Sequence, residues 1–101
     1  MARPFEFHDG ARADFDESFH WYAARSAGTA VGFAAAVDEA LEKIDANPAR
    51  FQSTHGGCRL CPLSRYPFRV IFREQPERII VVAIAHAKRR PNFWRSRIRG
   101  Q

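Results

Sequence analysis

Residues 68–86 read Phe68-Arg69-Val70-Ile71-Phe72-Arg73-Glu74-Gln75-Pro76-Glu77-Arg78-Ile79-Ile80-Val81-Val82-Ala83-Ile84-Ala85-His86, and this stretch decides the fold. Phe68, Val70 and Phe72 alternate with Arg69, Ile71 and Arg73, the period of two of a β-strand. Glu74 to Glu77, interrupted by Pro76, turns the chain. Arg78 to His86 is then almost wholly apolar and β-branched, which marks a central strand covered on both faces or nearly so.

Working outward toward the N-terminus, Ser64 to Pro67 is a turn and Arg59-Leu60-Cys61-Pro62-Leu63 a short strand. Pro62 lacks an N–H, so this strand belongs at an edge or a bulge. Ala49 to Gly57 is a polar loop, and before Asn47-Pro48 the apolar spacing becomes helical. Ala30, Ala34, Val37, Leu41 and Ile44 make one stripe, widened by Phe33 and Ala40; Ala11, Phe15, Phe19 and Tyr22 make another. Gly28 separates the two helices, and Asp9 is expected to cap the first. The small alanines allow close approach, so residues 11–46 predict an antiparallel helical hairpin. Phe5-Glu6-Phe7-His8 alternates like a half-buried strand, and Ala87 to Gln101 is a basic tail carrying Phe93 and Trp94.

The order is β-α-α-β-β-β. It predicts a single α+β domain over residues 1–101, with a helical hairpin packed on one face of a small, largely antiparallel sheet and a basic tail from about residue 87. The apolar faces predict a core of Phe5, Phe7, Phe15, Phe19, Tyr22, Val37, Leu41, Ile44, Phe68, Val70, Phe72, Ile80, Val82 and Ile84. Hydrophobic residues are 46% of the chain, which supplies that core and argues against a disordered chain.

Charge is unevenly placed. From Phe5 to Asp45 acids outnumber bases, whereas from Arg50 onward there are twelve Lys or Arg and only Glu74 and Glu77 against them. Such a split suits an anionic partner on the C-terminal half, or simply a solvated basic face. The N-terminus has no apolar signal segment, and the run Ile79 to Ala85 is too short to span a bilayer. The expectation is a soluble cytoplasmic protein with no membrane association and with both cysteines reduced. His55-x-x-Cys58-x-x-Cys61 has the residue types of a zinc site. However, residues three apart on a strand face opposite sides, and there is no second cysteine pair, so no metal is expected. No phosphate-binding glycine loop or hydrolase spacing is present, and no cofactor is expected.

Several local features then agree with one family. Phe19-His20-Trp21-Tyr22 lies in the first helix, and Ile44-Asp45-Ala46-Asn47-Pro48 ends the second. Leu63 to Phe72 contains the turn Tyr66-Pro67-Phe68, and the chain finishes His86-Ala87-Lys88-Arg89-Arg90-Pro91 with Trp94 and Arg97. In order and spacing these resemble the RelE/ParE superfamily of toxins from type II toxin–antitoxin systems, including the plasmid stabilisation proteins. The resemblance runs from about Phe5 to Arg97. It implies a growth-inhibiting toxin neutralised by a cognate antitoxin whose segment wraps it, meeting DNA only indirectly through that antitoxin. The superfamily divides over its target. ParE-like members inhibit DNA gyrase by binding; RelE-like members cut mRNA on the ribosome; a degenerate member would bind antitoxin without toxicity.

If the chain is an enzyme, it is a metal-independent endoribonuclease. His86, at the end of the apolar strand, is then the candidate for proton transfer, with Arg65 and Arg89 holding phosphate. The C-terminal stretch has no tyrosine to complete such a site, which favours ParE-like binding. In that case Arg69, Ile71 and Arg73, sharing one strand face, and Arg90 and Arg97 in the tail are the candidates for contacting antitoxin or target. A groove between the hairpin and the arginine-bearing strand face is the expected seat of an acidic, amphipathic antitoxin segment. A His86 that meets Arg65, Arg89 or Arg90 in an exposed concavity would favour cleavage; a His86 buried under Trp94 would favour binding.

Overall fold

A computed structural model describes residues 3–98. Strand β1 (Phe5–Phe7) leads into helix α1 (Asp9–Ala23) and helix α2 (Ala27–Ala46). Strands β2 (Gln52–Ser53), β3 (Arg59–Pro62), β4 (Phe68–Glu74) and β5 (Ile79–His86) follow, and the tail closes with one helical turn, α3 (Arg95–Ile98). The sheet order is β1-β5-β4-β3-β2, so the apolar strand β5 is central, as its composition requires. Only the β1–β5 pairing is parallel; the others are antiparallel. None of the described helices is long and apolar enough to cross a membrane.

Three boundaries differ from expectation for local chemical reasons. The cap of α1 is His8, whose Nδ1 accepts from the Gly10 N–H at 2.9 Å, so Asp9 is the first helical residue. The helices are separated at Ala24–Ser26, where the Ser26 hydroxyl accepts from the Thr29 N–H, and Gly28 lies inside α2. β2 is a two-residue edge strand within the stretch expected to be loop.

The larger correction concerns the core. Ile71 pairs with Ala83 but Phe72 with Val81, so Val82 has no counterpart on β4 and forms a bulge. Side-chain alternation on β5 therefore slips. Ile79, Val81 and Ile84 face the helices with Phe33, Val37, Ile44, Phe68, Val70 and Phe72. Ile80 and Val82, expected in that core, instead face the other side with Ala83, Ala85, Ile71 and Cys58. That second face is roofed by the tail, whose Trp94 is 3% exposed. The sheet is thus covered on both sides, by the hairpin on one and by a folded-back tail on the other. Leu41, Phe15 and Phe19 are only half-buried at the rim of the helix-side core.

Candidate functional site

β1 is short, and its last contact with the central strand is the His8 N–H donating to the Val81 carbonyl at 2.9 Å. Beyond it the outer edge of β5 has no strand neighbour. Two side chains occupy its backbone groups. Asp14 of α1 accepts from the Ile84 N–H at 3.1 Å, and Arg97 donates to the Val82 carbonyl at 3.1 Å. The two also pair, Arg97 Nη1 lying 2.7 Å from Asp14 Oδ2 and Nη2 3.2 Å from Oδ1. A Cβ at Gly10 would overlap the Arg97 guanidinium, so the glycine clears the path by which the arginine reaches α1. Arg97, expected on a partner surface, is instead spent on holding tail, helix and strand together.

Above that ion pair lies an open cleft of about 540 Å³ between α1 and the ends of β4 and β5. Its floor is apolar, made of Tyr22, Pro67, Phe68 and Ile84, and Trp21 stands at its rim, 53% exposed. Glu17 and Asp14 lie along the helix side, His86 and Arg89 opposite. His86 follows from its strand position: it shares the helix-facing side of β5 with Ile84 and pairs with Phe68. Its ring stands edge-on to Phe68 at 4.8 Å, and Nδ1 accepts from the Lys88 N–H at 3.0 Å. A neutral ring so bonded carries its proton on Nε2. Arg89 packs its guanidinium over Phe93 at 3.9 Å. Burial, followed by the nearby Tyr66, pushes the Tyr22 phenol up from 10.0, so it is a hydrogen-bond donor at neutral pH.

The structure brings His86 and Arg89 together in a concavity, and His86 is not beneath Trp94. It does not bring Arg65 to them. Arg65 sits in the turn before β4, with a left-handed φ of 70°, beside Gly32, Glu39 and Tyr66 of a separate surface. Arg69 and Arg73 do share a face with Ile71, but that face looks away from the hairpin, so no groove forms between hairpin and arginines as expected. Ile71 is 3% exposed under the tail and offers no surface to a partner. Arg90 borders a second, smaller niche of about 120 Å³ on the tail side, with Arg69, Arg89 and Asn92.

Trp21, Glu17 and Asp14 are candidate-site residues that were not among those expected from the sequence. The available signal was spacing: Asp14, Glu17, Ser18 and Trp21 recur at intervals of three, one and three along one helix face. The cysteines are separated by the sheet. Cys58 packs in the tail-side core and Cys61 in the helix-side core. Burial pushes both thiols up from 9.0.

A helical hairpin on a five-stranded sheet, with a cleft between first helix and central strand, defines a small α+β class. Residues 5–91 match the family model of the ParE toxin of type II toxin–antitoxin system, parDE. The chain belongs to that family, and it is the toxin half of a type II toxin–antitoxin pair. A solved structure of a chromosomal ParDE toxin–antitoxin system from P. aeruginosa has the same fold. The TM-score is 0.73 over 86% of this chain and 98% of that one, with 20% sequence identity. No curated protein matches the sequence.

Proposed function

We propose that this toxin arrests growth in the cytoplasm by binding a protein target, DNA gyrase, and that a cognate antitoxin neutralises it by occupying the cleft between α1 and β5. The observation that carries this reading is the cleft's make-up. Its floor is apolar, an exposed tryptophan stands at the rim, and Glu17 on the helix wall faces Arg89 across the opening. The Glu17 carboxylate at that wall repels a scissile phosphate, whereas aromatic and aliphatic surface anchors apolar side chains of a protein segment. The antitoxin expected here is amphipathic, its apolar residues seated among Tyr22, Phe68 and Ile84 and an acidic residue meeting Arg89.

One observation favours the second reading, a ribosome-dependent endoribonuclease: His86 and Arg89 line the same cleft. Two assays separate the readings. The purified chain should inhibit DNA supercoiling by gyrase and leave ribosome-bound mRNA intact, with His86→Gln unchanged in the first assay. Site-specific cuts in mRNA that disappear in His86→Gln would establish the enzyme instead. Trp21→Ala should weaken antitoxin binding by about tenfold or more, as expected when a rim aromatic anchor is truncated; unaltered affinity would move the antitoxin out of this cleft.

A further inference from the structure

We propose that the face roofed by the tail, opposite the cleft, is a binding surface for the phosphodiester backbone of duplex DNA, contacted directly and without the antitoxin. The observation is a set of cations with no acid to answer them. Arg69 projects from β4 into the same small niche as Arg89 and Arg90 of the tail. Arg73 stands on the same strand face as Arg69. Among the described residues none of these four makes an ion pair. Of the two acids in this half of the chain, Glu74 is held by Arg3 at 2.7 Å, and Glu77 stands in the turn between β4 and β5, outside the niche. The arginines are mounted on the sheet and on a tail pinned by buried Trp94, so a linear polyanion meets them already placed.

Surface chemistry selects the partner. An acidic amphipathic peptide needs apolar anchors as well as charge. Among the described residues the exposed large hydrophobic ones are Trp21 and Val31, both on the hairpin, while on this face Ile71 and Trp94 are each 3% exposed. Phosphate contacts require cations and no apolar anchor. Single-stranded nucleic acid would in addition need free aromatic faces for its bases. Trp94 is buried, and the Phe93 ring is taken by Arg89 at 3.9 Å and Arg97 at 5.1 Å. A duplex, whose bases remain stacked on each other, makes no such demand.

This proposal does not rest on the cleft's assignment, since Arg69 and Arg90 lie outside it. The test is fluorescence anisotropy of a short labelled duplex of mixed sequence, titrated with the full chain over a range of salt concentrations. The three arginines of the niche, Arg69, Arg89 and Arg90, on one phosphate each give a slope of log K against log salt of about −2.7, so a fourfold rise in salt weakens binding about 40-fold. Arg69→Ala and Arg90→Ala should each weaken binding and flatten the slope by about one, and Arg69→Lys should largely keep both. The proposal is overturned by absence of duplex binding at low salt. It is equally overturned if both alanine variants bind like the unaltered chain, or if single-stranded RNA or a polyglutamate peptide binds as tightly as the duplex.

Discussion

Arg97→Ala should be among the most damaging single changes in this protein, although the residue lies in a terminal tail. The guanidinium makes two hydrogen bonds to Asp14 and one to the Val82 carbonyl, with side chains only 17% and 9% exposed for arginine and aspartate. Removing one partner of a buried ion pair costs about 3–5 kcal/mol, because the other charge stays buried without compensation. Asp14 keeps its bond from the Ile84 N–H, so the lower end applies, about 3 kcal/mol. For a chain near 100 residues this lowers the melting temperature by about 12–24 °C. The measurement is thermal and urea unfolding followed by circular dichroism. Asp14→Asn combined with Arg97→Met should lose less than Arg97→Ala alone, since no charge is then stranded and the amide oxygen can still accept from Ile84. A loss within about 0.5 kcal/mol for Arg97→Ala, the size of an exposed surface pair, would refute the reasoning.

Three further outcomes follow from the same packing. Gly10→Ala, which in an ordinary helix gains about 0.5–1 kcal/mol, should destabilise here because the new Cβ displaces Arg97, and it should become neutral or favourable once Arg97 is alanine; stabilisation in the unaltered background would show that the guanidinium does not cross this glycine. Val82→Ala should cost about 2 kcal/mol from the fully buried bulge position, and Leu41→Ala no more than about 2 kcal/mol because that side chain is half-exposed; equal urea midpoints for all three proteins would mean that both positions are misjudged. Each buried thiol has its folded pKa raised above the unfolded 9.0, so the folded chain holds its protons longer and stability is intact below pH 9.0 and drains as pH rises beyond it. Unfolding midpoints that hold steady from pH 8 to 10.5, or fast thiol labelling of the native protein, would contradict the burial of both cysteines.

Much of the fold was legible because residues 68–86 carry two signals that tertiary context rarely overrides. Strict alternation in 68–73 assigns one strand face, and the unbroken apolar run assigns a centre of the sheet, which the strand order reproduces. The hairpin followed from two apolar stripes at helical spacing. The bulge at Val82 was not legible. In a run where every residue is apolar, a one-residue slip changes no hydrophobic pattern, so Ile80 and Val82 could be placed on the wrong side with no local contradiction. The short strand at Gln52–Ser53 lacks any periodic signal of its own, and the His8 cap competes with a neighbouring aspartate that sequence preference ranks higher.

The site was less legible, for a reason visible in Arg97 and Arg69. Both are arginines in a basic half of the chain, and sequence offers no means of telling which charge is committed. Arg97 is answered by an acid 83 positions away, across the open edge of the central strand. Arg69 is answered by nothing among the described residues. A long-range pairing of that kind is created by the fold itself: it needs β1 to stop at Phe7, Val82 to bulge, and Gly10 to leave room. Once Arg97 is withdrawn from the surface and Arg65 is set apart beside Tyr66, the candidate arginines separate into one at the apolar cleft, Arg89, and a group on the far face. Because Arg89 borders both, its replacement is informative in a way the others are not. Arg89→Ala should impair antitoxin binding and duplex binding together, while Arg69→Ala impairs only the second and Trp21→Ala only the first. An Arg89→Ala protein that lost neither would show that the two surfaces do not meet at this residue.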